Sequence, residues 1–318
     1  MKPLAFILLL LLYAPGAGAS RLNLPPEVKE GLRLLYSGDM EAAIGKAREF
    51  QQREPEHPGG YLLEANIRWW RTYCAACEIR WNTIDAWERK ALPEDEVYFS
   101  LCDRAIRLAE ARIARQDSFE MRFYAGMGYA LRARLHGLRM EKLPTARTGK
   151  AAREHLLRAQ RLEPQFADAL TGIGLYNYYA DTLSVFVKIL RVFIGIPGGD
   201  KELGKRQLER AMREGEYTAV EARVYLAKNY RNYEQQYERA AALMEPLVDE
   251  YPSNPIFHLL LGDFYFHNGK YDKAARQFRA AAALARHDSA CADTVQRVAE
   301  QALARIPRGA ATGAPEGR

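Results

Sequence analysis

Residues 255–287 read PIFHLLLGDFYFHNGKYDKAARQFRAAAALARH. Two runs of helical period flank Asn268-Gly269-Lys270, where glycine permits the turn that ends the first run. Gly262 in the first run and Ala274 in the second are small enough for two antiparallel helices to approach closely. Tyr265, Tyr271 and Phe278 are bulky enough to fill the space between one such pair and the next. The stretch therefore reads as a helix hairpin built to stack on others of its kind.

The spacing of Leu261, Gly262, Tyr265, Gly269, Tyr271, Ala274, Phe278 and Ala281 resembles the tetratricopeptide repeat, a helix–turn–helix unit that recurs along a chain. The window before it repeats the pattern with one inserted residue, through Leu226, Ala227, Tyr230, Tyr237, Ala240, Met244 and Leu247, and Pro252 marks the break. Working upstream, residues 220–254 and 255–287 are clear units, and 165–219 and 117–164 are helix pairs with insertions. Residues 58–116 read as a long helix pair broken near Leu92-Pro93-Glu94, and 24–57 as a degenerate unit. A helix over 288–306 would cap the open end of the stack. The expected fold is all-α: a right-handed superhelical solenoid of helix pairs over residues 20–306. Clear alternating valine- and isoleucine-rich runs are missing, which fits.

The 165–219 pair is interrupted by LSVFVKILRVFIGIP, in which Leu183, Phe186, Val187, Leu190 and Ile194 share a helical face. The reading is an inserted apolar helix, residues 183–196, that packs inside the solenoid, lies on a membrane surface or meets a partner. It is too short and too interrupted by Lys188 and Arg191 to span a bilayer. Residues 171–211 also resemble a tetratricopeptide family of outer-membrane-associated proteins of lipid-droplet and inclusion-clearance pathways. There, too, an apolar helix and a Gly-rich turn precede a repeat helix.

At the ends, Lys2, the apolar run Leu4–Leu12 and Ala17-Gly18-Ala19 have the layout of a secretory signal peptide over residues 1–19, cut before Ser20. Residues 307–318, rich in Gly, Ala and Pro, read as a disordered tail. Export would place the protein in the periplasm or cell envelope, where disulfides form. Cys102 could then pair with Cys74 or Cys77, both read as lying within a helix; buried free thiols are the alternative, and Cys291 has no evident partner.

The chemistry-bearing constellations are thin. The histidines at 57, 136, 155, 258, 267 and 287 lie in no metal-ligand spacing, and no nucleophile elbow occurs. Gly199-Asp200-Lys201-Glu202-Leu203-Gly204-Lys205 imitates a phosphate-binding loop. Arg206 takes the place of the magnesium-binding hydroxyl, however, and Asp200 at a helix start explains the run. Tyr61, Trp69, Trp70, Tyr73, Trp81 and Trp87 fall mostly three or four apart and read as helix packing. No cofactor, metal, nucleic acid or enzymatic activity is expected.

What remains is binding. Tyr176, Asn177, Lys228, Arg231, Asn232, Asp263 and His267 fall where repeats of this kind line their concave groove. The family's carboxylate clamp of lysines and asparagines is not reproduced: Lys228 stands where that clamp has an asparagine, and Val224 and Leu259 where it has lysines. The expected function is a non-enzymatic scaffold that binds a protein or peptide partner through its groove. The alternative is a peripheral membrane protein docked by 183–196 and basic helices over 104–161. Residues 101–163 hold fourteen Lys and Arg against seven Asp and Glu, so an anionic envelope component or membrane surface is a candidate partner.

Overall fold

A computed structural model describes residues 22–182, 197–285 and 291–307. The signal-peptide reading, the apolar segment 183–196 and the tail from 308 lie outside the described residues. Thirteen helices are described: α1 Pro26–Tyr36, α2 Met40–Arg53, α3 Pro58–Ala75, α4 Asp95–Ile113, α5 Phe119–Leu138, α6 Lys142–Leu162, α7 Ala169–Thr182, α8 Lys201–Glu214, α9 Ala219–Asn232, α10 Tyr237–Glu250, α11 Pro255–His267, α12 Tyr271–Leu284 and α13 Ala292–Ala304. Successive helices pair and stack into the expected solenoid, and α13 lies against α12 at its end. One apolar core runs through it from Leu22 to Ile306.

Local sequence explains the pairs. In α11 and α12 a Cβ added to Gly262 would stand 2.5 Å from the Phe278 ring, so only glycine lets the two helices come this close. Gly269 holds a left-handed φ at the turn between them, a backbone state that glycine adopts without steric cost. Asn254 caps α11 by accepting from Ile256 N–H and Phe257 N–H. The phosphate-loop imitation is a capped helix start: Asp200 accepts from Leu203 N–H at 2.9 Å. Asp168, buried in the α6–α7 turn, accepts from the N–H groups of Glu216, Tyr217 and Thr218 and so welds that turn to the start of α9. The insertion in 117–164 goes into length, with α5 and α6 running 20 and 21 residues.

Two expectations are corrected. The run from Tyr61 to Arg115 is not simply two helices. α3 stops at Ala75, and a two-stranded antiparallel hairpin follows, β1 Cys77–Arg80 and β2 Thr83–Ala86. Its loop is Trp81-Asn82, both with left-handed φ, the geometry of a tight two-residue hairpin turn. The second correction concerns the cysteines. Cys102 pairs with neither Cys74 nor Cys77; Cys74 is bonded to Cys291, 217 residues away, leaving Cys77 and Cys102 as buried thiols. The expectation failed because Cys291, at the start of α13, is brought back by the winding of the whole stack.

That winding brings the first pair against the later ones. Asn254 Nδ2 donates to the Tyr36 carbonyl at 2.8 Å, Lys29 meets Glu216 at 3.2 Å, and the Tyr36 ring lies against Trp70, Tyr251 and Phe257. The concave interior therefore becomes core.

Candidate protein-interaction groove

α9 and α11 are first helices of their pairs, and both turn polar side chains toward the β1–β2 connection. What meets those side chains is the chain's own hairpin. Arg231, on the last turn of α9, pairs with Asp263 of α11 at 2.8 Å and also donates to Thr83 Oγ1 and to the Asn82 carbonyl. His267 Nε2 lies 2.6 Å from the same carbonyl. Asp263 Oδ1 accepts from Ile84 N–H at 3.3 Å. On the other side of the hairpin turn, Asp85 is held by Lys228 at 2.7 Å, by Tyr73 Oη at 2.9 Å and by Asn232 Nδ2 at 3.2 Å. The opposite face of the hairpin is apolar: Ile84 shares a small void with Phe266, Phe278 and Ala302, so β2 is sandwiched by α11, α12 and α13.

Lys228, Arg231, Asn232, Asp263 and His267 thus converge on the four residues Asn82–Asp85. Tyr176 and Asn177 do not join them. Tyr176 Oη donates to the Pro197 carbonyl at 2.9 Å beneath the Arg153 guanidinium, and Asn177 Nδ2 donates to Gln207 Oε1 at 2.8 Å across the α7–α8 contact. Sequence reasoning missed the hairpin residues Asn82, Thr83 and Asp85. The available signal was EIRWNTIDA, with its alternation and its Asn in a turn position, which the helical spacing of the neighbouring tryptophans masked. Trp69 and Trp70 are buried as expected, but Trp81 is 84 % exposed at the hairpin tip, touching Trp87 edge-on at 5.1 Å.

The electrostatics are those of a closed joint. Burial pushes the Asp263 carboxyl up to about 6, against the pull of Arg231 and Ile84 N–H. Burial, and after it the Arg231 charge, hold the His267 imidazole below its ordinary value, and its Nε2 lies between Arg231 Nη2 at 2.7 Å and the Asn82 carbonyl. Burial works against the Lys228 ammonium, but Asp85, Tyr225 and Cys77 together hold that pKa above the ordinary one. The basic helices are likewise largely neutralised: Arg122 and Arg158 share Asp117, Arg132 meets Asp103, and Arg134 is buried against Glu221. Among the described residues no group of three His, Cys, Asp or Glu could hold a metal ion.

A tetratricopeptide repeat family model matches residues 229–289, from the end of α9 through α12. The fold is all-α, a stack of helix pairs in which residues 229–289 carry the tetratricopeptide repeat. No curated protein matches it. Among solved structures it is similar to YrrB, described as a TPR protein with an unusual peptide-binding site, at 16 % identity over 79 % of this chain and 97 % of that one, with a TM-score of 0.36. It is also similar to the human IFIT1 dimer with m7Gppp-AAAA, at 16 % identity, 88 % and 64 % coverage and a TM-score of 0.41. A third likeness is to the APC/C hetero-tetramer Cut9-Hcn1, at 12 % identity, 87 % and 49 % coverage and a TM-score of 0.34.

Proposed function

We propose that the protein is a non-enzymatic interaction scaffold, exported to the cell envelope, whose concave groove takes an extended segment bearing a carboxylate. In the isolated chain its own hairpin is that segment. The observation that carries this reading is the convergence on Asn82–Asp85: α9 and α11 grip backbone groups and one carboxylate, as they would grip a peptide. Export is supported by the 1–19 pattern and by the Cys74–Cys291 disulfide, which suits an oxidising compartment.

The test uses a chain in which residues 77–86 are replaced by a Gly-Ser linker, with folding checked by circular dichroism. A second variant, the uncut chain carrying Ile84→Asp and Asp85→Lys, loosens the hairpin without removing it. A fluorescent peptide of residues 79–86 should bind both variants and not the intact protein, and adding Arg231→Ala should weaken binding at least about tenfold, since charge-assisted bonds are worth about 1.5–3 kcal/mol each. Folded variants that ignore the peptide would defeat the groove reading.

A further inference from the structure

In an extended strand successive side chains point to opposite faces, so in β2 Thr83 and Asp85 share one face and Ile84 takes the other. Lys228, Arg231 and Asn232 stand three and four positions apart on α9 and share one face of that helix. The two faces meet in register. Arg231 donates to Thr83 Oγ1, Lys228 Nζ lies 2.7 Å from Asp85 Oδ1, and Asn232 Nδ2 donates to Asp85 Oδ2. Ile84, only 3 % exposed, turns the other way, toward Phe266, Phe278 and Ala302. The void left beside it is about 10 Å³, no more than a single water would need.

Backbone and side-chain contacts divide the work. The Asn82 carbonyl, held by Arg231 and His267, and the Ile84 N–H, held by Asp263, set the register without reporting which side chains the strand carries. The side chains of Thr83, Ile84 and Asp85 are each met by a different chemistry, and each contact is costly to lose. Lys228 is buried under Asp85, with its ammonium 4.5 Å from the Tyr73 ring centroid, so a neutral residue in place of Asp85 would strand a buried charge. A valine in place of Thr83 would take an acceptor from a guanidinium that is itself buried. The neighbours on the turn side are not read in this way. Trp81 is 84 % exposed, and Arg80 engages Glu78, Glu88 and Trp87 of its own segment.

Resting on the groove reading above, we propose that the partner is chosen by a three-residue signature in an extended segment: a hydroxyl residue, a β-branched aliphatic residue and an aspartate, in that order. Thr83-Ile84-Asp85 is the chain's own copy of it. Arg231 selects the hydroxyl, the Phe266 and Phe278 walls select the aliphatic side chain, and Lys228 with Tyr73 selects the carboxylate. The hairpin is tethered beside the groove, so an outside segment competes against a high effective concentration. A segment that reproduced only the backbone contacts would lose that competition, whereas one that carries all three side chains meets the hairpin on equal terms.

The full-length chain with residues 77–86 replaced by a Gly-Ser linker is titrated with the fluorescent peptide of residues 79–86, IRWNTIDA, and with single replacements in it. In the peptide, Asp85→Asn should weaken binding at least about thirtyfold, because one partner of a buried charge pair is lost. Thr83→Val should cost about tenfold, the worth of a bond to a charged group. Ile84→Ala should cost at least about tenfold through the cavity it leaves. Arg80→Ala and Trp81→Asn should stay within about twofold, as exposed positions do. A peptide with Asp85→Lys should regain binding to a linker chain that also carries Lys228→Glu, a rescue that packing alone would not produce. In the intact protein, hydrogen exchange across the hairpin should quicken with Asp85→Asn or Thr83→Val and not with Trp81→Asn, a readout that does not depend on the linker chain folding. Failure of every peptide to bind a folded linker chain would sink the groove reading itself. Binding of all of them with equal strength would leave the groove standing and overturn the signature.

Discussion

Arg231 shows why a groove residue can be legible by position and not by role. Its place on the first helix of a repeat pointed to the concave face, and it is there, but it is 7 % exposed and bonded to Asp263, Thr83 and Asn82. Position follows from helical period within one unit, whereas its hairpin partners lie far back in the chain and no local pattern reports them. Replacing it by alanine would leave a buried carboxylate without its counter-charge, at a cost of about 3–5 kcal/mol. The sign with pH is fixed. The Asp263 pKa in the folded chain, about 6, lies above its ordinary 3.8, so its ionisation is unfavourable to folding and that cost is present above about 6 and absent below 3.8. Removing Arg231 raises the folded value further. Urea unfolding of Arg231→Ala should therefore show a larger loss at pH 8 than at pH 5; an equal loss at both would mean that the carboxylate is not the group left stranded.

At the scale of elements, α9 to α12 were fully readable because each local preference agreed with the fold: small residues at the close contact, glycine at the turn, aromatics between pairs. The hairpin was not. Trp69, Trp70, Tyr73, Cys74 and Cys77 continue a helical spacing past the end of α3, and the strands that follow are four residues each, too short for alternation to stand out. What sustains so short a hairpin is tertiary: buried Ile84 and Cys77, the α9 and α11 grip, and a disulfide joining Cys74, just before β1, to the start of α13. Cys291→Ser should lower stability by about 2–5 kcal/mol, a loss of the size seen when a bridge closing a long loop is removed. Alkylation under denaturing, non-reducing conditions should label Cys77 and Cys102 and leave a Cys74–Cys291 cross-linked peptide; labelling of all four cysteines would contradict the pairing. Burial raises the Cys77 and Cys102 thiols well above their ordinary pKa, so in the folded protein both should resist the same reagent.

For the molecule as a whole, the solenoid class followed from the repeats, but its closure did not. Repeats specify how each pair meets the next, and small rotations accumulate until the first pair reaches the α10–α11 turn, where Asn254 holds Tyr36. A concave surface inferred from one unit is then partly interior. Residues 77–86 occupy this interior, held by α9 and α11. Hydrogen–deuterium exchange of the intact protein, followed by mass spectrometry of fragments spanning the hairpin, tests it directly. Slow exchange is expected across 77–86 in the wild type, with the Ile84 amide shielded by Asp263, and fast exchange in Arg231→Ala while α5 and α6 remain protected. Exchange of the wild-type hairpin at the rate of an unfolded chain would contradict it.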